Sequence, residues 1–422
     1  MKNKVKILAW GDWGSTGLAI ALREPMKRLW KTGKFDITLL GVGYDSWHED
    51  TVNYPFRVLP TMGDPFPRGN GFLARAVSEV NPDFLFSNLD VGWMDVITHP
   101  ELHVRTGEIK KYLFDLMDPK TRKFKHIGYF PIDGFCINDL LPKGFKEVLG
   151  RVDYRVTYSG WTNRVLASHG IDCSANIYHG IDPNTYYPMN KYDARKQMIP
   201  NEKINKYLNS FIVQMVATNQ HRKRNEDLIV AFAKFAQGKD DVALALHTHL
   251  TLPRNHSDIG AHDLIHLIEQ VGVDDIVINS SPMIGCPDAD MNMLYGISDV
   301  GVLLTEGEGF GLPIIHYHAV GKPILVTDCT ACTELTVHEI ERLPVGSSYI
   351  AHPNNLVRFG TNLDVLVDRL NYLYNNREKV DEIGKLGRQD ILNRFDYDNI
   401  IMPQWIDFFD KVCRENGFPS IK

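Results

Sequence analysis

The chain has 422 residues, enough for two or three domains. Its 46 Lys and Arg against 52 Asp and Glu leave a formal charge of −6, which argues against a general nucleic-acid coat. Hydrophobic residues at 44% and charged residues at 23% argue against long disorder, no apolar run reaches the roughly 18 residues that span a bilayer, and six sparse cysteines do not make a disulfide framework, so a reducing, cytoplasmic setting is expected.

The opening Met1-Lys-Asn-Lys-Val-Lys-Ile-Leu-Ala-Trp10 has charges but no long apolar core before Gly11-Asp12, so it reads as a first strand, not a signal peptide. Further apolar runs predict strands at 35–41, 84–87, 127–130, 155–158 and 176–178, with helical spacing at 18–30 and 71–80 between them. After position 200 the rhythm restarts. Strands are expected at 211–218, 242–249, 275–280, 300–305 and 323–327, and helices at 226–236, 262–271, 291–297 and 312–320. Val-, Ile- and Leu-rich strands alternating with helices imply parallel sheets covered on both faces. A Pro-rich, polar stretch from Asp182 through Pro200-Asn-Glu-Lys203 separates the two rhythms. The expected class is therefore α/β, with two doubly wound, Rossmann-like domains at 1–190 and 191–397, the first completed by a helix within 398–422. Two such sheets are expected to face a cleft, with ligands at the carboxyl ends of the strands.

The strongest local signal is Val300-Gly-Val-Leu-Leu-Thr-Glu-Gly-Glu-Gly-Phe-Gly-Leu-Pro-Ile-Ile-His316, which reads as strand, glycine loop and helix. Gly309 and Gly311 let the backbone approach a ligand closely, and Pro313 suits a first helical turn. The amides of Phe310, Gly311 and Leu312 would then point outward at a positive helix end, an anion site fit for a diphosphate. Glycines alone fit a tight turn between a core strand and a core helix equally well. The adjoining Glu306 and Glu308 tilt the reading, because a carboxylate beside an anion site is unfavourable unless it binds hydroxyls or a developing cation.

Glu308-Gly-Phe-Gly-Leu-Pro313 resembles the C-terminal signature of retaining glycosyltransferases of the GT-B fold, family four. In that family a second Glu, after seven intervening residues, holds the donor ribose hydroxyls. Here the position is His316, which when neutral offers one donor and one acceptor. Val213-Gln-Met-Val-Ala-Thr-Asn-Gln-His-Arg-Lys-Arg-Asn225 resembles the family segment in which an Arg, and a Lys five residues later, grip the donor pyrophosphate. Lys223 fits the Lys, the Arg position falls on Thr218, and Arg222 or Arg224 is left to compensate. Tyr178-His-Gly-Ile-Asp182 resembles the family's hinge. Gly11-Asp-Trp-Gly-Ser-Thr-Gly17 resembles its glycine loop over the donor phosphates, with Gly14 as the candidate; the spacing is not the Gly-x-Gly-x-x-Gly of a dinucleotide site. Asp133, in Ile127-Gly-Tyr-Phe-Pro-Ile-Asp-Gly134, falls where relatives carry a His or an Asp near donor sugar and acceptor; a turn cap is the alternative role. Asn88-Leu-Asp90 is a second candidate there.

The resemblance implies a retaining, metal-independent enzyme that moves a sugar from a nucleotide-sugar donor to an acceptor hydroxyl. No cofactor beyond that co-substrate is implied. The acceptor class stays open among glycan, protein, lipid and modified DNA. The catalytic candidates are Asp133 and Glu308, and the donor-binding candidates are Gly14, Arg222, Lys223, Glu308, Gly309, Phe310, Gly311, Leu312 and His316. A GT-B phosphorylase and a sugar- or nucleotide-binding protein without turnover are the alternatives. Other signals are weaker. Cys329-Thr-Ala-Cys332 lacks the second pair a zinc site needs, and His247 with His249 lacks a third ligand. The basic stretch 101–126 reads as a solvated helix and loop. Among the early tryptophans only Trp13 is a sugar-stacking candidate, with Trp10, Trp30 and Trp47 assigned to the core.

Overall fold

The structure, a computed structural model, describes residues 4–14, 16–45, 54–63, 70–94, 117–251, 262–274, 277–280, 286, 288–352 and 354–422. Trp47 and most of the basic stretch, 101–116, lie outside the described residues. The chain divides into two units, Met1–His179 with Ile401–Lys422, and Gly180–Ile400.

The first unit is built on a seven-stranded sheet. Its strands are β1 (Val5–Asp12), β2 (Phe35–Val42), β3 (Arg57–Pro60), β4 (Phe84–Asn88), β5 (Lys125–Phe130), β6 (Tyr154–Thr157) and β7 (Ala175–Asn176), in the order β3-β2-β1-β4-β5-β6-β7. Every pairing is parallel. That is why β1, β2, β4 and β5 are nearly continuous apolar runs: helices cover both faces. One face packs Leu8, Trp10, Leu40, Leu85 and Phe130. The other receives the closing helix Met402–Glu415, whose Trp405 and Phe409 rings lie 5.6 and 6.3 Å from Phe86, with Phe409 5.3 Å from Phe35. Trp10 is a core residue as expected, but Trp30 is 38% exposed. The sequence did not announce β3, a short edge strand with no buried residue and hence no apolar pattern.

The second unit repeats the plan with six parallel strands: β8 (Phe211–Val216), β9 (Val242–His247), β10 (Val277–Ser280), β11 (Val300–Leu303), β12 (Ile324–Thr327) and β13 (Arg342–Leu343), in the order β10-β9-β8-β11-β12-β13. A two-stranded antiparallel ribbon, β14 (Val345–Ala351) and β15 (Leu356–Thr361), follows. Three buried anchors fix β11 and its helix. Asp299, just before β11, takes Arg195 at 2.7 Å, Lys191 at 2.6 Å and the Ile212 amide at 2.8 Å. Gly301 leaves room for the Tyr317 ring, which a Cβ would meet at 2.7 Å, and Tyr317 donates its hydroxyl to Gln214 at 3.1 Å. His318 and Glu341, both fully buried, bond at 2.9 Å. The helix Leu312–Ala319 is thereby held through Tyr317 and His318 against a β11 that Asp299 fixes.

Strand order reverses between β1 and β4 in the first sheet and between β8 and β11 in the second. At such switch points the connections leave to opposite faces and open a crevice at the carboxyl ends of the two strands. The predicted strand ends 218, 249 and 305 overran the ladders, which stop at Val216, His247 and Leu303, because the polar residues beyond turn into these crevice loops. Among the described residues no helix is long and apolar enough to cross a membrane.

Candidate functional site

The loops leaving β8 and β11 meet at the second switch point. After β8 the chain forms a tight turn, His221–Lys223, followed by Arg224 at φ 54° and the helix Asn225–Ala236. After β11 it runs through Thr305 to Glu308. The two segments are stitched: the Glu306 amide donates to the Arg222 carbonyl at 2.9 Å, and Arg222 Nη1 donates to the Gly307 carbonyl at 3.1 Å.

Glu308 sits at the junction. Lys223 Nζ donates to its carboxylate, and Arg222 Nη1 lies 3.2 Å from the same oxygen. Its own amide donates to Thr330 Oγ1 at 2.9 Å. Burial works against the Glu308 charge, but Lys223 and Arg222 outweigh it and hold its pKa down at about 2. Lys223 has the converse problem. Burial first, and then the neighbouring Arg222 charge, lower its pKa in spite of Glu308. The site thus confines two cations against one carboxylate, an arrangement with capacity for a further anion.

The turn sends the two arginines to different carboxylates. Arg222 joins Lys223 on Glu308, whereas Arg224 faces Asp227, which accepts from its Nε at 2.8 Å and its Nη2 at 3.1 Å. Thr218 is exposed, and its carbonyl accepts from Asn225 Nδ2 at 3.1 Å.

From Glu308 the chain continues through Gly309 and Phe310, buried against Phe395 at 6.2 Å, to Gly311. Gly311 has φ 109°, which L residues rarely adopt, and a Cβ there would meet Ile314 Cδ1 at 2.9 Å. It opens the helix Leu312–Ala319, with Pro313 in the first turn and no side chain capping the start. His316 lies one turn in, its ring 4.6 Å from Tyr186 and 5.3 Å from Tyr295, and its Nδ1 3.4 Å from the Tyr295 hydroxyl. Burial lowers its pKa to about 4, so the imidazole is neutral at physiological pH.

On the first unit, Gly14 follows β1 at φ 93° with open space where a Cβ would be, so the backbone angle and not close packing calls for glycine. Thr16 caps the helix Gly17–Lys31 through the Ala19 amide at 3.0 Å and donates to Asp12 at 3.2 Å. Trp13 rests on Tyr44 at 5.0 Å. Asn88, ending β4, is fully buried and accepts from the Tyr158 hydroxyl. Asp133 is half-buried three residues past β5.

Of the residues singled out from sequence, Arg222, Lys223 and Glu308 are in direct contact, and Gly309 to Leu312 carry the chain from Glu308 into the helix. Gly14 and Asp133 belong to the first unit. Of the basic stretch, Arg122 is not solvated: its Nη1 and Nη2 donate to the carbonyls of Met117 and Arg151 at 2.8 Å, and it pairs with Asp153. Cys329 and Cys332 are buried free thiols; burial pushes Cys329 up to about 12 and Cys332 well above the usual thiol range. Tyr349, on β14, was missed. Its hydroxyl donates to Glu306 at 2.8 and 2.7 Å. The Asn354-Asn355 turn between two β-rich runs was the available sign of that ribbon. Tyr186 and Tyr295 carried no sequence signal, being distant in the chain from His316.

Residues 199–390 match the family model described as glycosyl transferases group 1. No curated protein matches the chain in sequence. Among solved structures, the chain is similar to sucrose-phosphate synthase from Thermosynechococcus elongatus, with a TM-score of 0.74 at 15% identity over 98% of this chain and 100% of that one. HepE from Anabaena, solved in complex with UDP and glucose, gives a TM-score of 0.69 at 16% identity over 96% and 100%. A glycosyltransferase from Rickettsia africae gives 0.67 at 17% over 98% and 99%. At these identities the likeness shows the fold, which is GT-B.

Proposed function

We propose that this GT-B chain, whose residues 199–390 match the model of glycosyl transferases group 1, is a retaining glycosyltransferase that moves a sugar from a nucleotide-sugar donor to an acceptor hydroxyl. The observation that carries the reading is the contact of Lys223 and Arg222 with Glu308 directly before an uncapped helix start. HepE, which shares the fold, has been solved with UDP-glucose, and that supports a donor of this class.

The diphosphate binds the amides from Phe310 to Leu312 and the two cations. Lys223, whose charge burial and Arg222 disfavour, gains a counter-anion when the donor arrives. The anomeric carbon–oxygen bond then breaks with its electron pair leaving on the phosphate, and the sugar becomes oxocarbenium-like. The acceptor oxygen bonds to the anomeric carbon on the same face, and its proton passes to the departing phosphate oxygen. Fixed donors aimed at that oxygen stabilise the charge as it develops. This assigns neutralisation to Lys223, Arg222 and the helix start, with no divalent metal and no further cofactor. Glu308, ionised throughout, orients sugar hydroxyls. His316, neutral and offering one donor and one acceptor, meets the ribose. Asp133 is assigned to acceptor or sugar hydroxyls, and Gly14 to the donor-phosphate loop. The cytoplasm fits a chain of this composition.

The test is nucleotide release from UDP-, GDP-, ADP-, CDP- and dTDP-sugars in the presence of a chelator. Slow release from one of them, lost in Glu308→Ala, is expected. Release from none, with no thermal stabilisation by any of the nucleotides, refutes the reading. Turnover with inorganic phosphate as acceptor and no nucleotide identifies a phosphorylase instead.

A further inference from the structure

We propose that Glu306 is a positioning residue for the anion-binding turn, and that Tyr349 is the latch through which the β14–β15 ribbon holds it in place. The inference rests on the donor reading above.

One residue fastens three segments. The Glu306 side chain is 2% exposed. Both of its oxygens lie within hydrogen-bond distance of the Tyr349 hydroxyl, at 2.8 and 2.7 Å. Arg224 Nη1 and His221 Nδ1 each stand 3.7 Å from it. Its amide donates to the Arg222 carbonyl at 2.9 Å, and its carbonyl accepts from the Phe359 amide of β15 at 3.3 Å. The basic turn, the loop after β11 and the ribbon therefore converge on Glu306. Burial and the Glu306 carboxylate hold the Tyr349 phenol above its ordinary range, so it stays a donor.

The two glutamates also sort the turn's basic side chains. His221, Arg222, Lys223 and Arg224 are consecutive. The outer two face Glu306 and the inner two face Glu308. The sorting depends on Arg224, whose φ of 54° is unfavourable for a residue with a Cβ. Asp227 accepts from its guanidinium at 2.8 and 3.1 Å, Glu226 stands 3.2 Å and Glu306 3.7 Å from its Nη1, and the left-handed backbone directs Lys223, one residue earlier, at Glu308. Without the Glu306 charge the turn keeps Arg224 on Asp227 but loses its attraction to the loop after β11, and Lys223 moves off its aim.

A carboxylate beside an anion site opposes the anion by its charge alone. The positioning role and the bare charge therefore predict opposite signs. Glu306→Gln removes the charge at nearly constant shape. If Glu306 positions the turn, affinity for inorganic pyrophosphate and for UDP, GDP, ADP, CDP or dTDP, whichever binds, falls by about tenfold or more, as for a lost hydrogen bond to a charged group. Tyr349→Phe keeps the charge and removes the latch, with its 3.4 Å contact to His221 Nδ1, and is expected to cost about threefold. The measurement is titration calorimetry on the full chain, with melting temperature read in parallel. In the nucleotide-release assay the donor KM rises by the same factor while kcat falls less. Unchanged or tighter pyrophosphate binding in Glu306→Gln overturns the proposal, as does unchanged binding in Tyr349→Phe should Glu306→Gln fail to fold. A wild-type chain that binds neither pyrophosphate nor any of UDP, GDP, ADP, CDP and dTDP overturns the donor reading, and this inference with it.

Discussion

Replacing Glu308 by glutamine keeps the size of the side chain, removes its charge and leaves Lys223 and Arg222 without their shared counter-ion. The free-energy consequence follows from the carboxyl's titration. Folding moves its pKa from the ordinary 4.5 to about 2. At about 1.4 kcal/mol per pH unit, that shift contributes about 3 kcal/mol to the stability of the second unit at neutral pH. The folded value is the lower one, so the contribution is complete above pH 4.5 and is lost as pH falls toward 2. For a unit of this size each kcal/mol moves a melting temperature by about 2–4 °C, so Glu308→Gln is expected to melt about 6–12 °C lower at pH 7. Calorimetric scans of both chains from pH 7 to pH 3 give the decisive quantity, their difference at each pH. It should shrink to under half by about pH 3, while titration of every other carboxylate cancels between the two chains. A difference as large at pH 3 as at pH 7, or no difference at pH 7, refutes the claim that Lys223 and Arg222 stabilise an ionised Glu308.

Asp299→Ala strands the fully buried Arg195 and is expected to cost about 3–5 kcal/mol in urea denaturation, with Asp299→Asn less damaging because it keeps an acceptor for the guanidinium. Gly301→Ala drives a methyl to 2.7 Å from the Tyr317 ring and should cost about 1–3 kcal/mol by the same measurement. Gly311→Ala combines a φ of 109° with a 2.9 Å clash on Ile314; nucleotide release should fall, with about 1–2 kcal/mol of backbone strain seen in the melt. Cys329 and Cys332, buried with raised thiol pKa values, should stay unmodified by iodoacetamide at about pH 8 in the native chain and react once it is denatured, as followed by mass spectrometry.

The parallel sheets were legible because each central strand is buried on both faces and must be apolar along its whole length. β3 and the two-residue β13 were not, since a half-exposed or very short strand leaves no pattern to read. The ribbon was overlooked for a related reason: β14 has no buried residue, so neither the period of a covered strand nor that of a helix is present. Trp30 shows the reverse error, a large apolar residue assigned inward by type alone although its helix turns it toward solvent.

Chain order alone determined that a glycine loop follows β11 and a basic turn follows β8, because both are local sequences with local consequences. It marked Lys223, Arg222 and Glu308 as candidates but offered Arg224 on equal terms with Arg222. The tertiary structure gave them different neighbours. A left-handed residue at 224 turns one arginine toward Asp227 and leaves the other bonded to the Gly307 carbonyl, across 85 residues of chain, and beside Glu308. It likewise set Tyr349 on Glu306 and closed Tyr186 and Tyr295 around His316. Pairings of that kind depend on where the sheet brings separate loops together, and strand order is a property of the folded chain that no single segment encodes.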